Sequence, residues 1–302
     1  MTFTRRIASA CLLAASSLAL GACASMSPTA SPEQPRAEAP RFAVLAASDE
    51  RRTAALANWK TVLGEQAAAA APTPELRPVT ATLASLPAGL GDYPRLPLVV
   101  MDKDETTQSE EETRESLRRF LGTAAPLLGF ELKHLSLVEV SDAPNAGGGA
   151  RRALYTQTPF AYPLRNGYGV VEVTFTPDLR VVGLSSTAVP GGEPLARALV
   201  AVQKPLTAEQ AAATLLNRAV TYTDRGGAQQ TRTLTKADVG LAQQLVVFPV
   251  RRDAGDASTL ELHVAWQVGI GGGKEDMAAY VDAATGELLG VDAWPWIINI
   301  PM

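Results

Sequence analysis

The chain has 302 residues, 46% of them hydrophobic, and a formal net charge of −4 with no basic patch to offset it. That is enough chain for a real core and for two modest domains, and the charge argues against nucleic acid or an anionic bilayer face as the main partner. The two cysteines, Cys11 and Cys23, both lie near the start, so the folded part has no thiol for a disulfide, a redox pair or a metal, and no later segment reaches the ~18 uninterrupted apolar residues of a membrane helix.

Residues 1–22 read as a secretory signal. Arg5 and Arg6 supply its positive end, and Ile7 to Leu20 form an apolar stretch too short to span a bilayer as a stable helix. Leu20-Gly21-Ala22-Cys23 has the form of a bacterial lipobox. The resemblance to lipoprotein signals implies cleavage before Cys23, diacylglycerol on its thiol and an acylated amine. Several acyl chains hold a protein to a membrane where one alone does not. Ala24 after the cysteine, by the same resemblance, favours the outer membrane, facing the periplasm or the cell surface. An ordinary signal cleaved after Ala22, beside a chance cysteine, is the alternative. Loss of Arg5 and Arg6 takes the charge from −4 to −6.

Residues 23–41 are rich in Ser, Pro, Ala and Glu and cannot bury enough apolar surface to offset their ordering entropy, so they read as a flexible tether. Over 42–100, Ser48 suits a helix N-cap. Leu56, Trp59, Val62 and Leu63 follow at helical spacing before an Ala run that stops at Pro72. Its packing partner cannot be read from sequence. The prolines between 72 and 100, ending in Leu96-Pro97-Leu98-Val99-Val100, suggest an extended connection with one edge strand.

Ser109 and Glu112 make a capping-box signature, and Leu117, Phe120, Leu121 and Ala124 share one face of a helix expected to end near Pro126. Extended segments follow at Leu135 to Val140 and Ala153 to Thr158. Val170 to Phe175 and Val181 to Leu184 flank the turn residues Pro177-Asp178. After a Pro/Gly-rich joint at Val189 to Pro194 the order repeats. Thr207 and Gln210 open a helix with Ala211, Leu215, Leu216 and Ala219 on its face, and strands are expected at 245–250, 260–268, 278–282 and 287–291. The unbroken period of two in Leu260, Leu262, Val264, Trp266 and Val268 buries one face and puts His263 on the other, polar one. The fold class expected is α+β, with two helix-plus-antiparallel-sheet units at 101–190 and 191–291.

Four strings in the second unit resemble a PepSY domain. They are Thr207 to Ala211, Leu245 to Pro249, Leu262-His263-Val264-Ala265-Trp266-Gln267-Val268, and Ala279 to Leu289, the last being the most specific. Residues 109–190 resemble, more loosely, the fungalysin/thermolysin propeptide domain, with Leu179 at a turn position where that family usually has Gly. Together such modules form the pro-region of thermolysin-like zinc metallopeptidases, where they assist folding and block the active site. The peptidase itself is missing. No His-Glu-x-x-His occurs, and His134 and His263 are too few to supply its paired imidazoles.

Neither histidine has a nucleophile nearby in sequence, so both read as surface or half-buried side chains rather than catalytic bases. No Gly-x-Ser-x-Gly elbow points to a hydrolase. Gly269 to Lys274 fails as a phosphate loop, because Val268 stands where its first Gly should be and Glu275 follows the lysine. The acidic run Asp102, Asp104, Glu105 and Glu110 to Glu112 lacks the glycine turn of a calcium loop and suits a helix N-terminus.

The tail, 292–302, carries Trp294, Trp296, Ile297, Ile298 and Ile300, which must pack on their own domain or dock on something else. Following the resemblance, these five are the candidate partner-binding residues and Cys23 the lipidation site. No catalytic residue, metal or cofactor is expected. The expected function is non-enzymatic: an envelope lipoprotein that binds a thermolysin-like metallopeptidase in trans as inhibitor or folding chaperone. The alternative is a structural or ligand-binding envelope module with no peptidase partner.

Overall fold

The computed structural model describes residues 41–101, 109–224, 227–254, 257–271 and 277–293. All of these belong to one compact unit, Ala39–Met302. The signal, Cys23 and nearly all of the tether lie outside the described residues, as do Asp102, Asp104 and Glu105.

The chain enters as β1 (Ala43–Ala46), then α1 (Asp49–Leu63), α2 (Glu65–Ala70) and a small hairpin of β2 (Glu75–Leu76) and β3 (Leu83–Ser85). Ser48 caps α1 by accepting from the Arg51 N–H. The edge strand expected at 96–100 does not form. Arg95 instead makes one antiparallel bridge to Arg180, and the extended pairing lies earlier, in β2 and β3. Two prolines, at 94 and 97, leave too few donors around that bridge to extend a ladder.

Next come α3 (Glu110–Leu128) and the antiparallel sheet β4 (Leu135–Asp142), β5 (Arg151–Gln157), β6 (Val170–Phe175) and β7 (Val181–Ser186), in that spatial order. The Ser109/Glu112 capping box is formed in both directions. The helix runs past Pro126 to Leu128 and stops at Gly129, whose φ of 76° turns the chain left-handed. It survives its proline because Asn58 of α1 bridges the gap. Asn58 Nδ2 donates to the Thr123 carbonyl (3.0 Å) and Oδ1 accepts from the Leu127 N–H (3.1 Å). This contact also answers what α1 packs on, since Ala55 and Trp59 share one core with Leu117, Leu121, Leu128, Val173 and Phe175. Burying one such leucine contributes about 2–3 kcal/mol.

The last third holds α4 (Gly192–Ala201), α5 (Ala208–Ala213), the hairpin β8 (Ala219–Thr223) and β9 (Gln229–Thr233), and the strands β10 (Val239–Ala254), β11 (Ala257–Ile270), β12 (Met277–Asp282) and β13 (Leu288–Ala293). β11 is central. β10 pairs along one edge of it, while β1 (Ala43 opposite Leu262) and then β12 (Ala265 opposite Asp282) share the other, and β13 follows β12. The segment read as a joint is therefore the start of α4, with Pro194 in the first turn, where its missing N–H leaves no bond unmade. The Thr207/Gln210 box caps α5 as expected, but the helix ends at Ala213, so Ala219 opens β8 rather than extending a helical face, and Leu216 is exposed. Asn217, at φ 59°, makes that turn. The architecture is α+β throughout.

Candidate functional site

Residues opposite one another across strands share a face of a sheet. The first face of the five-stranded sheet carries Leu260, Leu262, Val264 and Val268. α4 covers it with Leu195 and Leu199, and α5 with Ala211 and Ala212. The second face carries Glu261, His263, Ala265 and Gln267 of β11, Gln244, Val246 and Phe248 of β10, Tyr280 and Asp282 of β12, and Gly290 and Asp292 of β13. Alternation makes this the solvent side, yet it is buried: His263 is 5% exposed and Gln267 0%. Among the described residues no helix joins its apolar cluster of Val246, Phe248, Ala265, Ala278 and Tyr280. The Phe248 and Tyr280 rings lie 4.6 Å apart, and Gly290 permits this, since a Cβ there would stand 2.7 Å from the Phe248 ring.

The expectation that His263 is a surface or half-buried side chain is thus corrected. Phe42, just before β1, places its ring 4.7 Å from the imidazole. Nδ1 lies 2.6 Å from Asp282 Oδ2 and Nε2 3.2 Å from Glu261 Oε2, which also accepts from Arg252 Nε at 3.0 Å. Asp282 Oδ1 accepts from the Ala284 and Thr285 N–H groups of the final turn, where Gly286 has φ 76°. Burial acts to raise the Asp282 carboxyl, but the bonds from His263, Thr285 and Ala284 outweigh it and hold it below the ordinary carboxylate range. Both ring nitrogens thus face carboxylates of the same sheet, and neither is turned towards open space. Among the described residues no group of three or more His, Cys, Asp or Glu could hold a metal.

His134 sits in a short turn (Leu132–His134) and is half-buried, as read from the sequence. Its ring lines a cavity of about 270 Å³, together with Arg51 and the first residues of α4.

A larger cavity, about 410 Å³, opens between the two sheets, where the loop 163–169 meets Tyr280 and Asp292. This loop is tied to β10. The Arg165 N–H donates to Val247 O (3.0 Å), the Val247 N–H to Pro163 O (2.9 Å), and Asn166 Nδ2 to Pro249 O (2.8 Å). Arg165 then reaches over the second face, donating from Nε to Gln267 Oε1 (3.2 Å) and from Nη1 to Leu164 O (3.0 Å). Gln267 Nε2 is buried without a partner among the described residues. Burial lowers the Arg165 pKa and, against the nearby Tyr280 hydroxyl and the Arg165 charge, raises that of Asp292. Burial also raises the Tyr280 hydroxyl, with Asp292 adding to it.

Sequence reasoning missed this constellation. Arg165 comes from a loop with no motif, and Asp292 is distant in sequence, at the start of what reads as the tail. Of the expected partner-binding residues, Trp294, Trp296, Ile297, Ile298 and Ile300 lie outside the described residues.

No family model matches the chain, and no curated protein matches it. Among solved structures it is similar to the Bacillus megaterium YpeB C-terminal domain, at 14% identity over 68% of this chain and 73% of that one, with a TM-score of 0.28.

Proposed function

We propose that this protein is a lipid-anchored envelope protein that binds a thermolysin-like zinc metallopeptidase in trans, as inhibitor or folding chaperone, and catalyses no reaction itself. The carrying observation is that the strings resembling a PepSY domain fall on α5, β10, β11 and the β12–β13 hairpin of one sheet, in a chain whose only two histidines cannot form the peptidase's zinc site. His263, the histidine within those strings, is held between Glu261 and Asp282, a structural role. In this reading Cys23 carries the lipid. The sheet and the tail that follows β13, residues 294–302, seat on the peptidase and keep water and substrate from its cleft, with Trp294 and Trp296 as anchors.

The test is to mix the purified protein at micromolar concentration with thermolysin-like enzymes, following hydrolysis of a peptide substrate and the yield of refolded enzyme. Slowed hydrolysis or a raised yield, lost on deletion of 294–302 with the fold retained, is the expected result. If the protein neither binds, slows nor helps refold these enzymes, the reading is wrong; capture of a cell-wall or outer-membrane component in their place would favour a structural or ligand-binding module.

A further inference from the structure

The 410 Å³ cavity between the sheets lies within the size range of small-molecule sites, and its wall joins apolar surface from Pro163, Leu164 and Tyr168 to two opposite charges. Those charges, Arg165 and Asp292, act on each other electrostatically, yet they make no direct ion pair within 4.0 Å. The Arg165 guanidinium donates from Nε to Gln267 and from Nη1 to Leu164, and its Nη2 has no hydrogen-bond partner among the described residues. Asp292 makes no side-chain hydrogen bond within 3.5 Å among the described residues, and the Tyr280 side chain lines the same cavity wall, so its acceptor capacity is open. Half-desolvated opposite charges that face one cavity without touching call for something between them.

A simple anion there would satisfy Arg165 and meet Asp292 head on; a simple cation would do the reverse. A molecule carrying both signs satisfies both. We infer that the cavity binds a small zwitterion, a free amino acid or dipeptide, with its carboxylate on Arg165, its ammonium on Asp292, and its side chain against Leu164 and Tyr168.

The site is built in advance of its ligand. The loop's bonds to β10 fix Arg165. Asn166, Gly167 and Gly169 hold positive φ values of 59°, 72° and 80°, and a Cβ at Gly169 would stand 2.7 Å from the Leu164 side chain. Little ordering is left to oppose binding. The inference is independent of a peptidase partner, and its test uses no peptidase.

Isothermal titration of the purified protein with leucylalanine, its N-acetyl derivative and its C-terminal amide decides the matter. The free dipeptide should bind at millimolar concentration or better, and removing either charge should weaken it roughly tenfold, the size of one charge-assisted hydrogen bond. Arg165→Gln should abolish the preference for the free over the amidated carboxyl end, and Asp292→Asn the preference for the free over the acetylated amine. Should either variant fail to fold, the capped series on the wild-type protein still stands. No binding of free amino acids or dipeptides at millimolar concentration, or equal binding of free and capped forms, overturns the inference and leaves the two charges bridged by water.

Discussion

The four-stranded sheet β4–β7 gives one face to α3 and α1 and leaves the charged side chains of the other partly in solvent, where Arg152 (40% exposed) lies 3.8 Å from Glu172 (39% exposed). The five-stranded sheet also gives one face to helices, but on its second face it buries a histidine, a glutamine and an aspartate. The contrast lies in what meets the polar face. In the first sheet it meets water, and ion pairs there contribute about 0–1 kcal/mol. In the second, Phe42 and Arg165 arrive from segments far away in sequence, and a polar group once covered must be paired or it becomes costly.

The largest effect expected from this contrast is at Asp282. Asp282→Ala removes the carboxylate facing His263 and the acceptor of two turn N–H groups, and should cost about 3–5 kcal/mol, since buried polar groups left without a partner cost about 1–3 kcal/mol each. Glu172→Ala on the solvent face of the other sheet should stay within about 0.5 kcal/mol. Urea unfolding measures both, and equal losses would erase the distinction between the two faces. The pH dependence sharpens it. Because the folded-state pKa of Asp282 is depressed, its contribution is fully present above the ordinary aspartate value near 3.8 and is lost as pH falls through the lower folded-state value. The stability gap between wild type and Asp282→Ala should therefore be wide at neutral pH and narrow on the acid side. A gap that widens towards acid would show that the sign is wrong.

The same contrast sets what could be read in the sequence. Both capping boxes, Ser109/Glu112 and Thr207/Gln210, are local and form as expected. The alternation in β11 located its helix-covered face, because apolar side chains every second residue have to be buried. Alternation says nothing of what covers the other side, so from sequence His263 reads as a surface or half-buried side chain. β1 is four short apolar residues beside a Pro-rich stretch, and only pairing with β11 gives it structure. The cavity could not be read at all, since loop and strand placement rather than spacing brings Arg165 and Asp292 to one wall.

A smaller effect is expected where the N-terminal segment meets the first sheet's helix. Asn58 repairs the backbone around Pro126 by giving one hydrogen bond to Thr123 O and taking one from the Leu127 N–H. Asn58→Ala leaves both groups to find water at a half-buried site, at about 1–2 kcal/mol. If the bridge is what carries the helix past its proline, amide hydrogen exchange should quicken at Leu127 and Leu128 and stay unchanged in β10–β13. Uniform quickening would instead mark a general loss of packing.

The smallest effect tests a strained turn in the first sheet. Leu179 takes φ 66°, the left-handed region that glycine occupies freely, at the tip of the β6–β7 hairpin. An L-residue there is strained by roughly 1–2 kcal/mol. Against that strain, its half-buried side chain packs on the core and its carbonyl accepts from the Leu96 N–H at 2.8 Å, tying the 94–97 segment to the hairpin. Leu179→Gly relieves the strain, loses the apolar contact and frees the unfolded chain further. The terms oppose one another at similar size, so urea unfolding should shift by less than about 1 kcal/mol. Leu179→Ala keeps the strain and loses most of the contact, and should be the less stable of the two. If alanine proves the more stable, the backbone at this turn is not what sets its sequence.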